Sequence, residues 1–302
     1  MAAIMRSTFL ILSAIGYPEF SSKKSKKMYS DHAKVGLLIL TEYLGKSFEE
    51  FTKVLPSLKD VMRIAGISGI PDGSTLRKFR KRLEPGILDK VIAYQSRMTT
   101  GNSELTVAVD ATGFSTSHAS KYYISRLKYF GTEETVIRGY TKVSLAVCVN
   151  TKMIIAADTV STRAADITRL NVIVDKLCEA GIPISCILAD KGYDAEHVHR
   201  YIREKLNAES IIPVRSMTEP AKSGSKKRRT SGFYRGLMKF FFDKERYGMR
   251  SIVETVNSMI KGVLGEVLDG RDEGTRHSET MFRCIAHNFR VGMEISSSRA
   301  EV

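Results

Sequence analysis

The sequence is poor in cysteine, with four in 302 residues, at positions 148, 178, 186 and 284. No two of them form a CxxC pair, so zinc-ribbon spacing is absent. So few thiols in so long a chain do not make a disulfide framework, and a reducing interior is the expected setting. Long apolar runs are missing as well. The start, MAAIMRSTFLILSAIG, carries an apolar stretch behind a single arginine. It is too short to span a bilayer, and no small-residue cleavage site follows it. A packed or frayed N-terminal helix is expected there. No later stretch is apolar enough to be transmembrane, so no membrane partner is expected. No internal repeat is present.

What the chain has in excess is positive charge. Lysine and arginine number 47 against 33 acids, a net charge of +14. Such an excess favours polyanionic partners, DNA or RNA first among them. At 43% hydrophobic and 26% charged residues the composition is that of a globular protein. The length allows one large domain or two ordinary ones.

Residues 1 to about 100 read as helical and basic. SDHAKVGLLILTEYLG has apolar residues at helical spacing behind a cap at Ser30 or Asp31. SFEEFTKVL, LKDVMRIAGI and EPGILDKVIAYQSRM read as further helices. PDGSTLRKFRKRL opens with turn residues, and Ser74 or Thr75 can cap the helix that follows. That helix carries Arg77, Lys78, Arg80, Lys81 and Arg82 against apolar Leu76, Phe79 and Leu83. A short helix, a turn and a basic helix suit DNA binding of the helix-turn-helix kind, with Arg77, Lys78 and Lys81 as candidate contacts.

At Gly101 the texture changes. ELTVAVDATGF, GYTKVSLAVCVN and TKMIIAADTVS read as three strands. ADITRLNVIVDKLCEAG reads as a helix, ISCILADKGYD as a strand, AEHVHRYIREKL as a helix capped by Asp194, and ESIIPVR as a short strand. A polar basic loop with KSGSKKRR at 222–229 comes next, and then the helix YGMRSIVETVNSMIK. Three meandering strands followed by alternating helices and strands match the order of a ribonuclease H-like α/β fold. The expected division is therefore 1–100 helical and basic, and 101–302 a mixed sheet flanked by helices.

Asp110 is expected to end the first strand and Asp190 the fourth, and in such a sheet these strands are neighbours. Two carboxylates side by side repel, so the pair wants a cation. Hard oxygen ligands without a cysteine or histidine pattern point to Mg²⁺ or Mn²⁺. Either aspartate alone would read as a turn or cap. A third acid comes from the last helix. With about 100° per residue and Tyr247 at zero, Arg250 falls near −60°, Glu254 near −20° and Lys261 near −40°. The apolar residues, Val253, Val256 and Ile260 among them, occupy the opposite side. Placed beside the two aspartates, Glu254 becomes a third oxygen ligand. Arg250 and Lys261 become phosphate clamps, and Tyr247 a phosphate or base contact. Lys226, Lys227, Arg228 and Arg229 in the preceding loop would follow the phosphate backbone. His197 and His199 are expected at the surface, and Asp158, Asp166 and Asp175 as caps or solvated acids.

AVDATGFS, ILADKGYD and YGMRSIVETVNSMIK together resemble the DDE transposases of bacterial and archaeal insertion sequences. The last segment has the spacing of their Tyr-Arg-Glu-Lys signature: Tyr, two residues, Arg, three, Glu, six, Lys. The resemblance covers roughly residues 30 to 290. It implies a ribonuclease H-like catalytic domain and two-metal phosphoryl transfer on DNA. Asp110, Asp190 and Glu254 would be the ligands of two Mg²⁺ or Mn²⁺ ions, and Tyr247, Arg250 and Lys261 contacts to the transposon end. It implies double-stranded DNA as partner (terminal inverted repeats and target), a dimer or larger assembly, and a prokaryotic, cytoplasmic, nucleoid-associated setting. The short stretch between the fifth strand and the signature leaves no room for a large inserted domain, which keeps direct strand transfer open. The tail after Lys261 is brief, so dimerisation elements are expected to be minimal. Two other readings stay open: a ribonuclease H-like nuclease without strand transfer, and a catalytically silent DNA-binding derivative.

Overall fold

The computed structural model describes residues 1–21, 27–116, 140–160, 166–215 and 232–300. Six helices come first: α1 (Ala2–Ala14), α2 (Asp31–Tyr43), α3 (Phe48–Val54), α4 (Lys59–Ala65), α5 (Gly73–Arg82) and α6 (Pro85–Thr100). Their starts follow capping chemistry. The Ser30 hydroxyl accepts the Ala33 amide at α2, and Ser47 and Glu50 form a reciprocal capping box at α3. At α5 the cap is Asp72, not Ser74 or Thr75. Its carboxylate accepts the Ser74 amide at 2.7 Å, and the helix starts two or three residues earlier than the sequence reading placed it. The N-terminal apolar run is a packed helix, with Ile4, Met5, Ile11 and Leu12 buried.

The sheet follows. Strands β1 (Leu105–Ser115), β2 (Tyr140–Cys148), β3 (Ile154–Val160), β4 (Ile184–Ala189) and β5 (Glu209–Ile211) lie in the order β3-β2-β1-β4-β5. β1 and β2 pair antiparallel, as do β2 and β3, while β4 and β5 run parallel to β1. This is the ribonuclease H-like arrangement, a mixed α/β sheet behind a helical N-terminal region. Helices α7 (Asp166–Ala180) and α8 (Glu196–Leu206) cover one face, where Val107, Val109, Ile187 and Ala189 meet Ile173, Leu177, Val198 and Ile202. α9 (Phe233–Phe240), α10 (Lys244–Gly248), α11 (Ser251–Leu264) and α12 (Glu273–Ala300) complete the chain.

The second face shares one core with the N-terminal helices: Ala108, Phe114, Leu145 and Leu188 pack in the same cluster as Val253, Ile260, Phe282, Leu38 and Leu88. The long helix α12 joins the two. Its Asn288 side chain accepts from the Ile154 amide and donates to the Ile154 carbonyl, both at 2.8 Å, so a helix residue completes the backbone pairing of an edge strand. Gln95 and Ser96 of α6 reach the same region, bonding the carbonyls of Ile285 and Ile154.

Two features differ from the sequence reading. β1 does not stop at Asp110. Its parallel pairing to β4 ends at Val109–Ala189, but the pairing to β2 continues from Asp110–Leu145 through Ser115–Tyr140. β-branched Thr112 and aromatic Phe114 sustain the strand. Nor do Tyr247 and Lys261 share one helix. Asp243 caps α10, glycine at 248 weakens continuity, and the chain passes to α11 through the tighter bonds Met249 N–H to Arg246 O and Arg250 N–H to Tyr247 O. α9 also lies where no separate helix was expected, just before α10.

Candidate active site

β1 alternates sides, so Ala108 and Phe114 share a face with Asp110 and Thr112, and that face looks toward α11. Asp110 stands one residue past the last β1–β4 pair, and Asp190 one residue past the same pair on β4. Adjacent strands lie about 4.8 Å apart, so the register makes the two aspartates neighbours. The backbone leaves β4 at Asp190 in extended conformation and enters a 3₁₀ turn over Lys191–Tyr193.

Glu254 comes from the first turn of α11, whose buried stripe of Val253, Val256, Ile260 and Leu264 presses on the sheet. Arg250 joins the acids. Its guanidinium donates to Glu254 Oε1 at 2.6 Å and to Asp110 Oδ2 at 3.4 Å, and lies 5.8 Å from the Tyr247 ring centre. Asp110 is 24% exposed and Glu254 58%, so the cluster opens to solvent. Asp110 Oδ1 also accepts its neighbour's amide, Ala111 N–H, at 2.8 Å.

The electrostatics follow from burial and from these neighbours. Burial pushes the Asp110 carboxyl above its ordinary value. The Ala111 amide and Arg250 pull the other way, and the negative charges of Asp190 and Glu254 push it further up. Burial likewise raises the Tyr247 phenol, which feels Arg250, Asp190 and Asp110. Two acids on one guanidinium, with Asp190 beside them, leave an excess of negative charge. Among the described residues, no three His, Cys, Asp or Glu side chains stand in an arrangement that by itself closes on a metal ion. Arg250 bridges two of the acids instead, acting as the cation of the cluster. The donor chemistry still suits a hard divalent ion: every ligand offered is a carboxylate oxygen, and more negative charge is present than Arg250 balances.

Lys261 lies seven residues, about two turns, along α11 from Glu254. Its ammonium donates to Thr112 Oγ1 at 2.6 Å and sits 5.3 Å from the Phe114 ring centre. The strand period could have marked Thr112 and Phe114, two and four residues beyond Asp110, as partners on the same face. Phe242, packed 5.1 Å from the Tyr247 ring, carried no signal in the sequence.

The remaining candidates lie elsewhere. On α5, Arg77, Lys78 and Lys81 are exposed; Arg77 pairs with Glu49 at 2.5 Å and Lys81 with Asp272 at 3.3 Å. Arg80 is buried and belongs to a charge cluster with Glu42, Glu279 and Arg283. Lys226, Lys227, Arg228 and Arg229 lie outside the described residues. A cavity of about 730 Å³ is lined by the charge cluster, α5 and the segment after α11, away from the acids.

Several bystander residues are corrected. His199 is fully buried, not at the surface: its Nδ1 lies 2.8 Å from Ser210 Oγ, and burial lowers its pKa to about 4. Asp194 does not cap α8, since the N-cap there is Ala195. Its carboxylate takes a two-bonded grip from Arg235 at 2.8 and 2.7 Å and accepts the Arg215 amide. Asp158 is buried against Arg169, and Asp175 accepts the Tyr201 hydroxyl at 2.6 Å.

The family model described as "Transposase DDE domain" matches residues 101–289, more than half of the chain and all of the cluster just described. The chain belongs to the DDE transposase family. A comparison with curated proteins gave no match. Membership makes the protein one of a family of enzymes that act on DNA. No described helix is long and apolar enough to cross a membrane.

Proposed function

We propose that this DDE transposase binds the ends of its own mobile element, cuts the DNA there and joins the cut ends to a target, with Asp110, Asp190 and Glu254 as catalytic carboxylates. One observation carries the reading: the strand register sets Asp110 beside Asp190 and the Arg250 guanidinium ties Asp110 to Glu254, although the residues come from two strands and a distant helix. Stability alone gives no reason to set a further carboxylate beside a guanidinium that already serves two, because unpaired like charges destabilise a fold.

In this reading the three carboxylates hold two divalent ions, Mg²⁺ or Mn²⁺. When bound, such ions polarise the scissile phosphate and neutralise charge that develops on the attacking and leaving oxygens. The chain's own residues supply the rest. Arg250 presents a planar fork that pairs with phosphate as well as with carboxylate. Tyr247, its phenol kept protonated by burial, donates to phosphate or flanks a base. Lys261 holds α11 against β1 through Thr112, keeping Glu254 over Asp110, and adds a cation facing the DNA. Basic α5 contacts duplex phosphates through Arg77, Lys78 and Lys81, and Lys226, Lys227, Arg228 and Arg229 add further phosphate contacts. Paired element ends call for a dimer or larger assembly.

Incubation with Mg²⁺ and DNA carrying the inverted repeats that flank the coding region tests this. End-specific nicks followed by joined products are expected. Cleavage without joining would reassign the protein as a nuclease, and binding alone as a silent derivative. Lys78→Ala with Lys81→Ala is expected to weaken binding evenly across sequences and to lower the salt slope by about 2.

A further inference from the structure

The two aspartates at the centre of the site stand on different footings. Asp110 lies inside a ladder, paired across to Leu145 of β2. Asp190 has no such support. The pairing of β4 to β1 ends at Ala189 and its pairing to β5 at Leu188, so neither neighbouring strand fixes the next residue. Its direction depends on the 3₁₀ turn that follows, Lys191–Tyr193. Within that turn Tyr193 N–H donates to Asp190 O at 2.9 Å and Asp194 N–H to Lys191 O at 3.2 Å. Such turns have poorer hydrogen-bond geometry than an α-helix and gain from outside support.

That support comes from far along the chain. The Arg215 guanidinium donates to the Lys191 carbonyl at 3.0 Å and to the Gly192 carbonyl at 2.8 Å, and its main-chain N–H donates to Asp194 Oδ2 at 2.9 Å. Asp194 holds the end of the turn from within: its side chain is 0% exposed, and Arg235 of α9 closes on it through two bonds. Glu196, two residues on, accepts the amides of Tyr234 and Arg235 at 3.2 and 3.1 Å, so α9 is seated on the same stretch of chain. A sealed ion pair returns little net stability, because desolvation offsets attraction; what this one supplies is a single geometry. Resting on the proposed function, we propose that Asp194 and Arg215 are positioning residues for Asp190, holding the turn after β4 so that the Asp190 carboxylate stands beside Asp110 before ion or DNA arrives. Both act through the backbone of residues 191–194.

Arg215 is exposed, so Arg215→Ala removes two bonds from the turn without opening the core. Calorimetric titration of the full chain with Mn²⁺ alone should show at least about tenfold weaker binding for Arg215→Ala and for Asp194→Asn, with Arg215→Lys recovering part of the loss. Arg215→Ala should keep the wild-type Tm, and its affinity for element-end DNA without ions should change less than about twofold. Nicking at saturating DNA should fall at least about tenfold and recover at high Mn²⁺. If Asp194→Asn fails to fold, Arg215→Ala decides alone. Unchanged Mn²⁺ affinity in Arg215→Ala overturns the positioning role and leaves the proposed function standing; a loss of DNA affinity in its place reassigns Arg215 to a phosphate contact. Weakened Mn²⁺ binding in the variants of a chain whose wild type does not nick element ends upholds the positioning and overturns the enzymatic reading.

Discussion

Two groups of acids and arginines stand in this protein, and they are built on opposite plans. In the buried one, Glu42 of α2, Arg80 of α5, and Glu279 and Arg283 of α12 match two acids to two guanidiniums. Arg283 meets Glu279 at 2.7 Å and Glu42 at 3.5 Å, and Arg80 reaches both acids at 3.5 and 4.0 Å. Two of the four also take backbone partners: Glu279 accepts the amides of Asp269 and Gly270, and Arg283 donates to the carbonyls of Gly265 and Val267. In the open one, Asp110 and Glu254 share the guanidinium of Arg250, and Asp190 stands beside Asp110 on the next strand. The first is balanced and fastens α2, α5 and α12 to the segment after α11. The second is left short of positive charge at the solvent edge of the sheet. An ion network that balances internally serves the fold; one that falls short of a cation suits the ligand-holding role proposed for it.

That contrast breaks most sharply under substitution of acids. Asp110→Asn, Asp190→Asn or Glu254→Gln is expected to cut end-nicking by at least about 10²–10³-fold, while Asp110→Asn leaves Tm no lower than wild type, because burial and two negative neighbours already oppose that charge. A retained nicking rate removes that residue from the site, and a large fall in Tm makes the open cluster structural. On the closed plan the expectation inverts. Arg283→Met leaves two buried carboxylates under-compensated and should cost about 3–5 kcal/mol in denaturant melts; a loss below about 1 kcal/mol would show the balance to be dispensable.

Acidity sharpens the comparison next. Burial lifts Glu42 to about 7, with Glu279 pushing the same way and Arg283 and Arg80 opposing. A carboxyl whose folded pKa is raised gives stability that is complete below its unfolded value near 4.3 and disappears as pH rises through the folded value. Wild-type Tm should therefore decline between about pH 4.5 and 7 from this group, and Glu42→Gln should flatten that decline; parallel profiles would refute it. The smallest effect is Thr112→Val, which removes the acceptor for Lys261 and should cost about 1 kcal/mol. A lowered nicking rate at saturating DNA would mark the tie as positioning Glu254, and an unchanged rate as packing alone.

The element order was legible because period and composition change together: helical spacing to Thr100, then β-branched runs closing on turn residues. The neighbouring aspartates followed from strand order, and the Tyr247-to-Lys261 spacing pointed to one side of a helix even though the chain breaks at Gly248. What stayed hidden depends on partners distant along the chain. Nothing near Arg80 announces Glu279, nor does anything near His199 announce burial beside Ser210. Asp194 looked like a cap because its true partner, Arg235, lies beyond the basic loop. The persistence of β1 past Asp110 rests on β2, and the bridging guanidinium of Arg250 on three elements meeting at once.

α12 has one more consequence, for the order in which the protein is made. The helix closes the roof over α2, α6 and β3, and its Asn288 supplies the backbone partner of Ile154. A ribosome that has not yet reached residue 273 holds a chain whose sheet and helical region both lack their shared lid. Consolidation then waits until residues 273–300 have been made, so nascent chains stalled upstream of them would be the natural prey of proteases and chaperones.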